Sequence, residues 1–256
     1  DDNGGGGGGG TPPVPPTPVV AYVANQTSNS VSAFTINATS GALIPVAGSP
    51  FPVGTTPGGI AVSTDGTLAY VPNQGSNTVS AFSVNTATGV PTAVNGSPFG
   101  AGTTPFKVTV SPNRSFVYVT NQGSNNVSAF SIDALGRLTP LPGSPFATGL
   151  TPAGIGLSPN GAFLYIANQA SNNVSAFTVN AATGQLASVA GSPFAVGSTP
   201  VGVVVSPNGS FVYVTNQGSN FVSAFSITQA TGVLTPVTGS PFVTGFTPAG
   251  ITKTPN

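Results

Sequence analysis

Short runs of alternating apolar and polar residues follow one another along most of the chain and predict β-strands. The fullest run, Phe116–Phe130, reads FVYVTNQGSNNVSAF, in which two segments rich in valine and aromatic residues flank a polar loop. No stretch of the chain has the 3.6-residue period of an amphipathic helix. The pattern therefore predicts an all-β protein.

The same run occurs five times along the chain at a nearly constant spacing. The tyrosines that mark the copies lie 48, 48, 47 and 48 residues apart, at Tyr22, Tyr70, Tyr118, Tyr165 and Tyr213. Repeats of about 40–50 residues that carry four strands are typical of β-propeller blades. We therefore predict a five-bladed β-propeller of four-stranded blades.

Each repeat predicts strands A to D from the inside of the propeller outward. Examples are Gly59–Ser63 for strand A, Leu68–Pro72 for strand B, Thr78–Val84 for strand C and Leu234–Thr238 for strand D. A GSPF segment, intact in all five copies, follows strand D and is predicted to connect it to the next strand A.

The two ends of the chain divide one repeat between them. The first copy begins at Val19 without a strand A, and a lone strand A segment, Thr247–Asn256, ends the sequence. We expect this segment to complete the first blade and close the ring over residues 18–256. Residues 1–17, rich in glycine and proline, are predicted to form a separate extended tail.

Charged residues make up only 3% of the chain, which contains no His, Cys, Met, Trp or Glu. Nucleic acid is an unsuitable partner, because its binding needs clustered Lys and Arg. No apolar run is long enough to cross a membrane. We expect an exported, extracellular or cell-surface protein. A lipid or cell-wall anchor upstream of Asp1 would suit this location.

The repeats also resemble a known family. YVTN stands at Tyr118–Asn121 and Tyr213–Asn216, and YVAN, YVPN and YIAN stand in the other copies, each followed by a VSAF-type segment. These motifs resemble the YVTN family of β-propeller repeats, found in surface proteins and in lactonase-like propellers. The resemblance implies a propeller that commonly has seven blades and, for the lactonase-like members, hydrolysis in the central channel.

The residues themselves argue against such chemistry. Hydrolysis needs a general base or a metal with ligands, and the predicted propeller offers only Asp65 and Asp133 as acids. Both lie at predicted turns, in different blade positions, and no histidine is available to build a catalytic triad. We therefore predict a protein that is not an enzyme and has no cofactor, metal site or catalytic residues.

Two polar features are candidates for binding. Lys107 and Lys253 lie on predicted A strands and either make a weakly positive channel mouth or are simply solvated. An amide at the end of each strand B either bonds nearby backbone groups or forms a fivefold ring that binds a ligand. The residues of this amide set are Asn25, Asn73, Asn121, Asn168 and Asn216.

The preferred function is that of a structural subunit of a surface assembly or filament, with the tail of one molecule docked on the next. The candidate contact residues of this tail are Gly4, Gly5, Gly6, Gly7, Gly8, Gly9, Gly10, Pro12, Pro13 and Val14. The alternative is a binding module for glycan or protein, held at the cell surface on a Gly/Pro stalk. A degenerate lactonase-like hydrolase is a third reading, for which the sequence offers no evident nucleophile.

Overall fold

The computed structural model describes residues 17–252. These residues form β-strands and contain no helix, which confirms the all-β prediction. None of this described part is therefore a helix that could span a membrane. The predicted contact tail, Gly4–Gly10 with Pro12, Pro13 and Val14, lies outside the described residues, as does Lys253.

The strands between residues 17 and 252 form five antiparallel sheets, one for each repeat, which we number blades 1 to 5. Strand B of the blades is β1 (Val20–Asn25), β6 (Leu68–Asn73), β11 (Phe116–Asn121), β16 (Phe163–Asn168) and β21 (Phe211–Asn216). Strand C is β2 (Ser30–Ile36), β7 (Thr78–Val84), β12 (Asn126–Ile132), β17 (Asn173–Val179) and β22 (Phe221–Ile227). Their lengths and positions agree closely with the predicted strands.

Strand A is the innermost strand and is formed in blades 2 to 5. It is β5 (Ala61–Val62), β10 (Pro105–Val110), β15 (Pro152–Leu157) and β20 (Pro200–Val205). In blade 2 it is shorter than the predicted Gly59–Ser63, because the Gly58–Gly59 pair has no side chains to pack in a strand.

Blade 1 has no strand A among the described residues. Segment Ala249–Thr252, predicted to supply it, lies beside β20, as β20 lies beside β15: a methyl group added to Gly202 would come within 3.3 Å of Ile251 Cγ2. No backbone pairing between this segment and β1 occurs within residues 17–252. Closure of the ring by the last residues thus stays a prediction.

The outer strand D is built in two pieces. The first piece is β3 (Leu43–Pro45), β8 (Pro91–Ala93), β13 (Leu138–Pro140), β18 (Leu186–Ser188) and β23 (Leu234–Pro236). The second piece is β4 (Phe51–Pro52), β9 (Phe99–Gly100), β14 (Phe146–Ala147), β19 (Phe194–Ala195) and β24 (Phe242–Val243). The GSPF segment is therefore more than a connector, because its phenylalanine starts the second piece.

The interruption of strand D is bridged by the serine of GSPF. Ala129 N in strand C donates a hydrogen bond of 2.9 Å to Ser144 Oγ, and the equivalent bond occurs in every blade. The serine hydroxyl thus replaces a backbone partner where the chain leaves the sheet, which keeps the buried amide of strand C satisfied.

Adjacent blades pack through two faces that we name by chain direction. The trailing face of a blade contacts the next blade and contains residues such as Phe116, Tyr118 and Val127 in blade 3. The leading face contacts the preceding blade and contains residues such as Ile166 and Leu186 in blade 4. These clusters of buried apolar side chains are the core of the protein.

One hydrogen bond recurs at each of these blade contacts. The tyrosine hydroxyl of one blade donates to the carbonyl of the glycine in the C–D turn of the next blade. The pairs are Tyr22 with Gly89, Tyr70 with Gly136, Tyr118 with Gly184, and Tyr165 with Gly232, at 2.8–3.1 Å. Gly184 has a φ of 70° and lies against the Phe116 ring, so that a larger residue would meet both strain and a clash.

A second recurring contact links each blade to the strand A that follows it. The amide oxygen of Asn125 accepts a hydrogen bond of 2.8 Å from Thr151 N. Both residues have φ near 54°, in the left-handed region, which asparagine tolerates more readily than most residues. We call each such pair an Asn–Thr clamp; the pairs are Asn29–Thr56, Asn77–Thr104, Asn125–Thr151, Asn172–Thr199 and Asn220–Thr247.

Candidate active site in the central channel

The inner strands line an open pocket of about 260 Å³. It is lined by β10, β15, β20 and the segment Ala249–Ile251. Nine of its ten lining residues are Val, Ile, Ala or Gly, and the tenth is Lys107. A single charged side chain in a pocket of this size suits a small polar ligand with an electron-rich oxygen.

Lys107 projects from β10 toward the neighbouring inner segment of blade 2. Its Nζ donates a long hydrogen bond of 3.4 Å to Gly58 O and lies 5.0 Å from the centroid of the Phe106 ring. Its aliphatic stem passes close to Gly59, which has no side chain to block it. The glycine pair of blade 2 therefore makes room for the lysine.

The surroundings of Lys107 alter its protonation. Burial lowers the pKa of its ammonium group below the ordinary value of 10.5, since an apolar environment disfavours the charged form. No carboxylate within residues 17–252 forms an ion pair with it. Within the described residues its one hydrogen-bond acceptor is the carbonyl oxygen of Gly58 at 3.4 Å, which leaves the ammonium able to bind a ligand oxygen.

A second hydrogen-bond donor lies against the same glycine. Gln74 Nε2 is buried, has no hydrogen-bond partner among the described residues, and lies 2.9 Å from where a methyl group on Gly58 would stand. A buried amide donor without an acceptor is costly. Lys107 and Gln74 both lie beside the Gly58–Gly59 pair, but of the two only Lys107 lines the pocket.

The two carboxylates discussed in the sequence analysis, Asp65 and Asp133, form ion pairs with arginines and do not contact Lys107. Asp65 lies in the A–B turn of blade 2 and forms an ion pair with Arg114 of blade 3. Asp133 lies in the C–D turn of blade 3 and forms an ion pair with Arg137 at 2.6 Å. Backbone and side-chain hydrogen bonds from Arg137 lower the pKa of Asp133. Both acids therefore stabilise turns as carboxylates.

The amide set is placed inside the blades. Asn73, Asn121, Asn168 and Asn216 are fully buried, and Asn25 is partly buried. Asn121 Nδ2 donates to Asn126 Oδ1 at 2.7 Å and to Ser128 Oγ at 2.8 Å, and Gly102 covers its side chain. The ligand ring predicted for these residues stays a prediction, because in this structure the four buried side chains serve the B–C loops.

These four buried amides share one further property. Their Oδ1 atoms have no hydrogen-bond partner among the described residues. The sequence places Lys107 on a predicted A strand but does not indicate that it lines a pocket. The signal available in the sequence was the Gly58–Gly59 pair, which occurs only in blade 2.

The family comparison decides the affiliation of the chain. The model of the family described as Lactonase, 7-bladed beta-propeller, matches residues 16–148 and 135–246. The chain belongs to the seven-bladed β-propeller lactonase family. No curated protein sequence matches the chain.

Solved structures with a similar fold agree with the lactonase family. A candidate 6-phosphogluconolactonase from Bacteroides uniformis is 25% identical, with a TM-score of 0.76 over 90% of this chain and 69% of that one. A protein from Lactobacillus plantarum is 22% identical, with a TM-score of 0.78 over 90% and 70% of the two chains. The periplasmic gluconolactonase of Pseudomonas aeruginosa is 23% identical, with a TM-score of 0.73 over 89% and 68%.

The lactonase family match and the Bacteroides likeness correct the predicted function. They indicate a hydrolytic enzyme, so the predictions of a non-enzymatic structural protein, a self-assembling filament subunit and a tethered binding module are wrong. The error came from equating the lack of His and Glu with the lack of catalysis. Ionisable groups whose pKa is shifted by burial cluster at functional sites, and the burial of Lys107 could not be derived from strand periodicity.

Proposed function

We propose that the protein hydrolyses a lactone in its central channel, with Lys107 as the group that stabilises the transition state. The observation that carries this proposal is the position of Lys107: the one charged side chain lining the cavity has an unsaturated hydrogen-bonding capacity and faces apolar walls. Membership of the lactonase family supports the reaction class.

The geometry supports a simple division of roles. The lactone carbonyl oxygen accepts a hydrogen bond from Lys107 Nζ, which lines the pocket. A water molecule adds to the carbonyl carbon, and negative charge develops on that oxygen, where the ammonium stabilises it. The ring C–O bond then breaks, and the proton given up by the water passes to the ring oxygen, which becomes the hydroxyl group of a hydroxy acid.

The substrate class we propose is a sugar lactone. The pocket of about 260 Å³ suits a molecule of monosaccharide size. The Bacteroides likeness, to a candidate 6-phosphogluconolactonase, supports a lactone that carries a phosphate group. A phosphate would add a second reason for a cation in the channel.

The test is lactone hydrolysis followed by proton release in weak buffer at pH 6.5, with glucono-δ-lactone and its 6-phosphate as substrates. We expect a saturable rate above the spontaneous one. The Lys107→Met variant should lose on the order of 100-fold in kcat, the effect of removing one oxyanion donor. Because the charged ammonium is the active form, the wild-type rate should fall as pH rises through the lowered pKa of Lys107, below 10.5.

The matched control is Arg137→Gln, which removes an exposed cation at the C–D turn of blade 3. It should leave the rate unchanged, and the melting temperature of Lys107→Met should show that the variant is folded. A wild-type rate equal to the spontaneous rate, or full activity of Lys107→Met, would contradict the proposal.

We also propose that the repeats are of the YVTN type, on the strength of the motifs at Tyr118–Asn121 and Tyr213–Asn216. Export of the protein remains a prediction from its composition, in which charged residues make up 3%.

A further inference from the structure

Strand A of blade 3 contains a β-bulge at the lysine that lines the pocket. The pairing of β10 with β11 shifts register between Pro105 and Val108. The two residues in between, Phe106 and Lys107, lie opposite the single residue Thr120. A bulge leaves one residue without its partner in the ladder and redirects the side chains at that point, which is why bulges are frequent beside active sites.

The bulge brings together two side chains that a regular strand would separate. Adjacent side chains of a strand point to opposite faces of the sheet. Lys107 Nζ nevertheless lies 5.0 Å from the centroid of the Phe106 ring and 3.4 Å from Gly58 O of blade 2. The direction of the lysine side chain therefore depends on the bulge.

A buried hydroxyl group holds this bulge in place. Thr120 is 0% exposed, and its Oγ1 accepts a hydrogen bond of 3.1 Å from Lys107 N. The same hydroxyl donates to Ala153 O of blade 4 at 3.2 Å, with Lys107 O slightly farther away at 3.4 Å. Thr120 thus supplies the acceptor that the bulge takes away from the lysine amide.

The hydroxyl also joins the lysine to the neighbouring inner strand. Ala153 directly precedes Gly154 and Ile155, two residues of β15 that line the same pocket. On the other side, the ammonium group of Lys107 reaches Gly58 O of blade 2. The lysine is therefore fixed between two blades, with its main chain tied to blade 4 and its side chain to blade 2.

Blade 5 provides a comparison within the same molecule. Thr215 occupies the equivalent place in an identical YVTN motif and is 2% exposed. There Gly202, at the position of Lys107, pairs directly with Thr215 in the ladder. Thr215 Oγ1 has no hydrogen-bond partner among residues 17–252. The same buried threonine therefore holds a bulged main chain in blade 3 and does not do so in blade 5.

The other repeats lack the lysine, and most of them also lack the threonine. Glycine occupies the position of Lys107, and alanine or proline occupies the position of Thr120 in three repeats. These residues are Gly59, Gly154, Gly202 and Gly250 for the lysine, and Ala24, Pro72 and Ala167 for the threonine. A blade can thus form without this hydroxyl, so its role in blade 3 is specific to the lysine.

We propose that Thr120 is the positioning residue of Lys107, and that its hydroxyl holds the bulged main chain so that the ammonium meets the lactone carbonyl oxygen. The catalytic part of this role rests on the proposed lactone hydrolysis, whereas the positioning part rests on the bulge and its hydrogen bonds. Thr120 does not line the pocket and acts only through the lysine.

The first test removes the hydroxyl and keeps the shape of the side chain. Thr120→Val should lower kcat for glucono-δ-lactone by about 10- to 100-fold with little change in KM, because a small displacement of a catalytic group has an effect of this order. Thr120→Ser retains the hydroxyl and should restore the wild-type rate. The matched control, Thr215→Val, makes the same change in blade 5 and should leave kcat unchanged.

A second readout is independent of activity. The sequence contains two lysines, Lys107 and Lys253, so a Lys253→Arg background with isotope-labelled lysine gives a single side-chain NMR signal to titrate. Burial lowers the pKa of Lys107 below 10.5. Release of the side chain to solvent in Thr120→Val should raise the pKa back toward that value, while Thr120→Ser and Thr215→Val should keep the wild-type pKa.

A wild-type kcat or a wild-type pKa of Lys107 in Thr120→Val would overturn the proposal. Equal losses in Thr215→Val would overturn it too, since they would show a general effect of removing a buried hydroxyl from strand B. Thr120→Ala is the second variant if valine prevents folding, because Ala167 already occupies this position in blade 4. If the wild type hydrolyses no lactone, the proposed function fails, whereas the NMR titration still decides whether Thr120 positions Lys107.

Discussion

The blades in the middle of the row and the blades at its ends have nearly the same sequence but different surroundings. Tyr118 of blade 3 is fully buried and bonded to Gly184, whereas Tyr213 of blade 5, in an identical YVTN motif, is partly exposed. Burial in this fold is thus a property of the contact between blades and not of the repeat. The stability that a residue contributes should therefore depend on which side of its blade is occupied.

The largest difference should appear when an aromatic side chain is truncated. Phe116→Ala removes a ring that is 6% exposed and packed on Leu186 of the next blade, which should cost about 3–5 kcal/mol of unfolding free energy. Phe211→Ala makes the same change on the trailing face of blade 5 and should cost about 1–2 kcal/mol, because only part of that ring is buried. Urea denaturation of both variants measures the two costs.

Equal costs for Phe116→Ala and Phe211→Ala would contradict this comparison. They would mean that the trailing face of blade 5 is covered in solution as fully as that of blade 3. Coincidence of the fluorescence and circular dichroism transitions should be checked for each variant, since the free energies assume two-state unfolding.

A smaller difference should separate two tyrosine substitutions. Tyr118→Phe removes a hydrogen bond of 2.8 Å and leaves the carbonyl of buried Gly184 without its partner, which should cost about 1–3 kcal/mol. Tyr213→Phe removes a hydroxyl that has no partner among the described residues and should change stability by less than about 0.5 kcal/mol. Thermal melting of both variants checks this, and a large loss for Tyr213→Phe would reveal a partner for its hydroxyl.

The smallest effect concerns the ion pair between blades 2 and 3. Partial burial alone would raise the pKa of Asp65, but hydrogen bonds from Ser63, Thr67 and Arg114 outweigh it and lower the pKa to about 2. The stabilisation is therefore complete above the unfolded value of 3.8 and is lost as pH falls through about 2. Because the pair is partly exposed, its contribution should be below about 1 kcal/mol.

Asp65→Asn provides the test of this pH dependence. The equivalent turn position in other blades is occupied by asparagine, as at Asn113, where the amide oxygen accepts the same bond from a serine hydroxyl. The variant should therefore keep the turn and flatten the loss of stability between pH 4 and pH 2, measured by urea denaturation. An unchanged pH profile would show that other carboxyl groups determine it.

Much of the fold follows from the sequence because the repeat is strict. Strand C of blade 2 begins and ends at the predicted residues, Thr78 and Val84, since turn residues bound it on both sides. Strand D was harder to predict, because its two pieces are held in one line by a serine hydroxyl that belongs to a predicted connector. A count of five repeats does not tell whether the leading face of blade 1 and the trailing face of blade 5 are covered. In this seven-bladed family, both faces of the five-blade structure are partly exposed.

The candidate site was less predictable than the strands. The sequence places Lys107 on an inner strand, but its reach to Gly58 depends on the packing of two blades whose residues are 49 positions apart. The burial of Asn121 likewise depends on Gly102, which lies in the loop between β9 and β10. Periodicity reports the face of a strand and contains no information about such contacts between loops.

The Asn–Thr clamps bear on how proteins of this kind change during evolution. Each clamp takes its asparagine from one copy of the repeat and its threonine from the following copy, as in Asn125 and Thr151. Duplication or deletion of one whole copy therefore regenerates an intact clamp at the new junction. Gene recombination can alter the number of blades in single steps without any compensating substitution, whereas an insertion of any other length would separate the two residues.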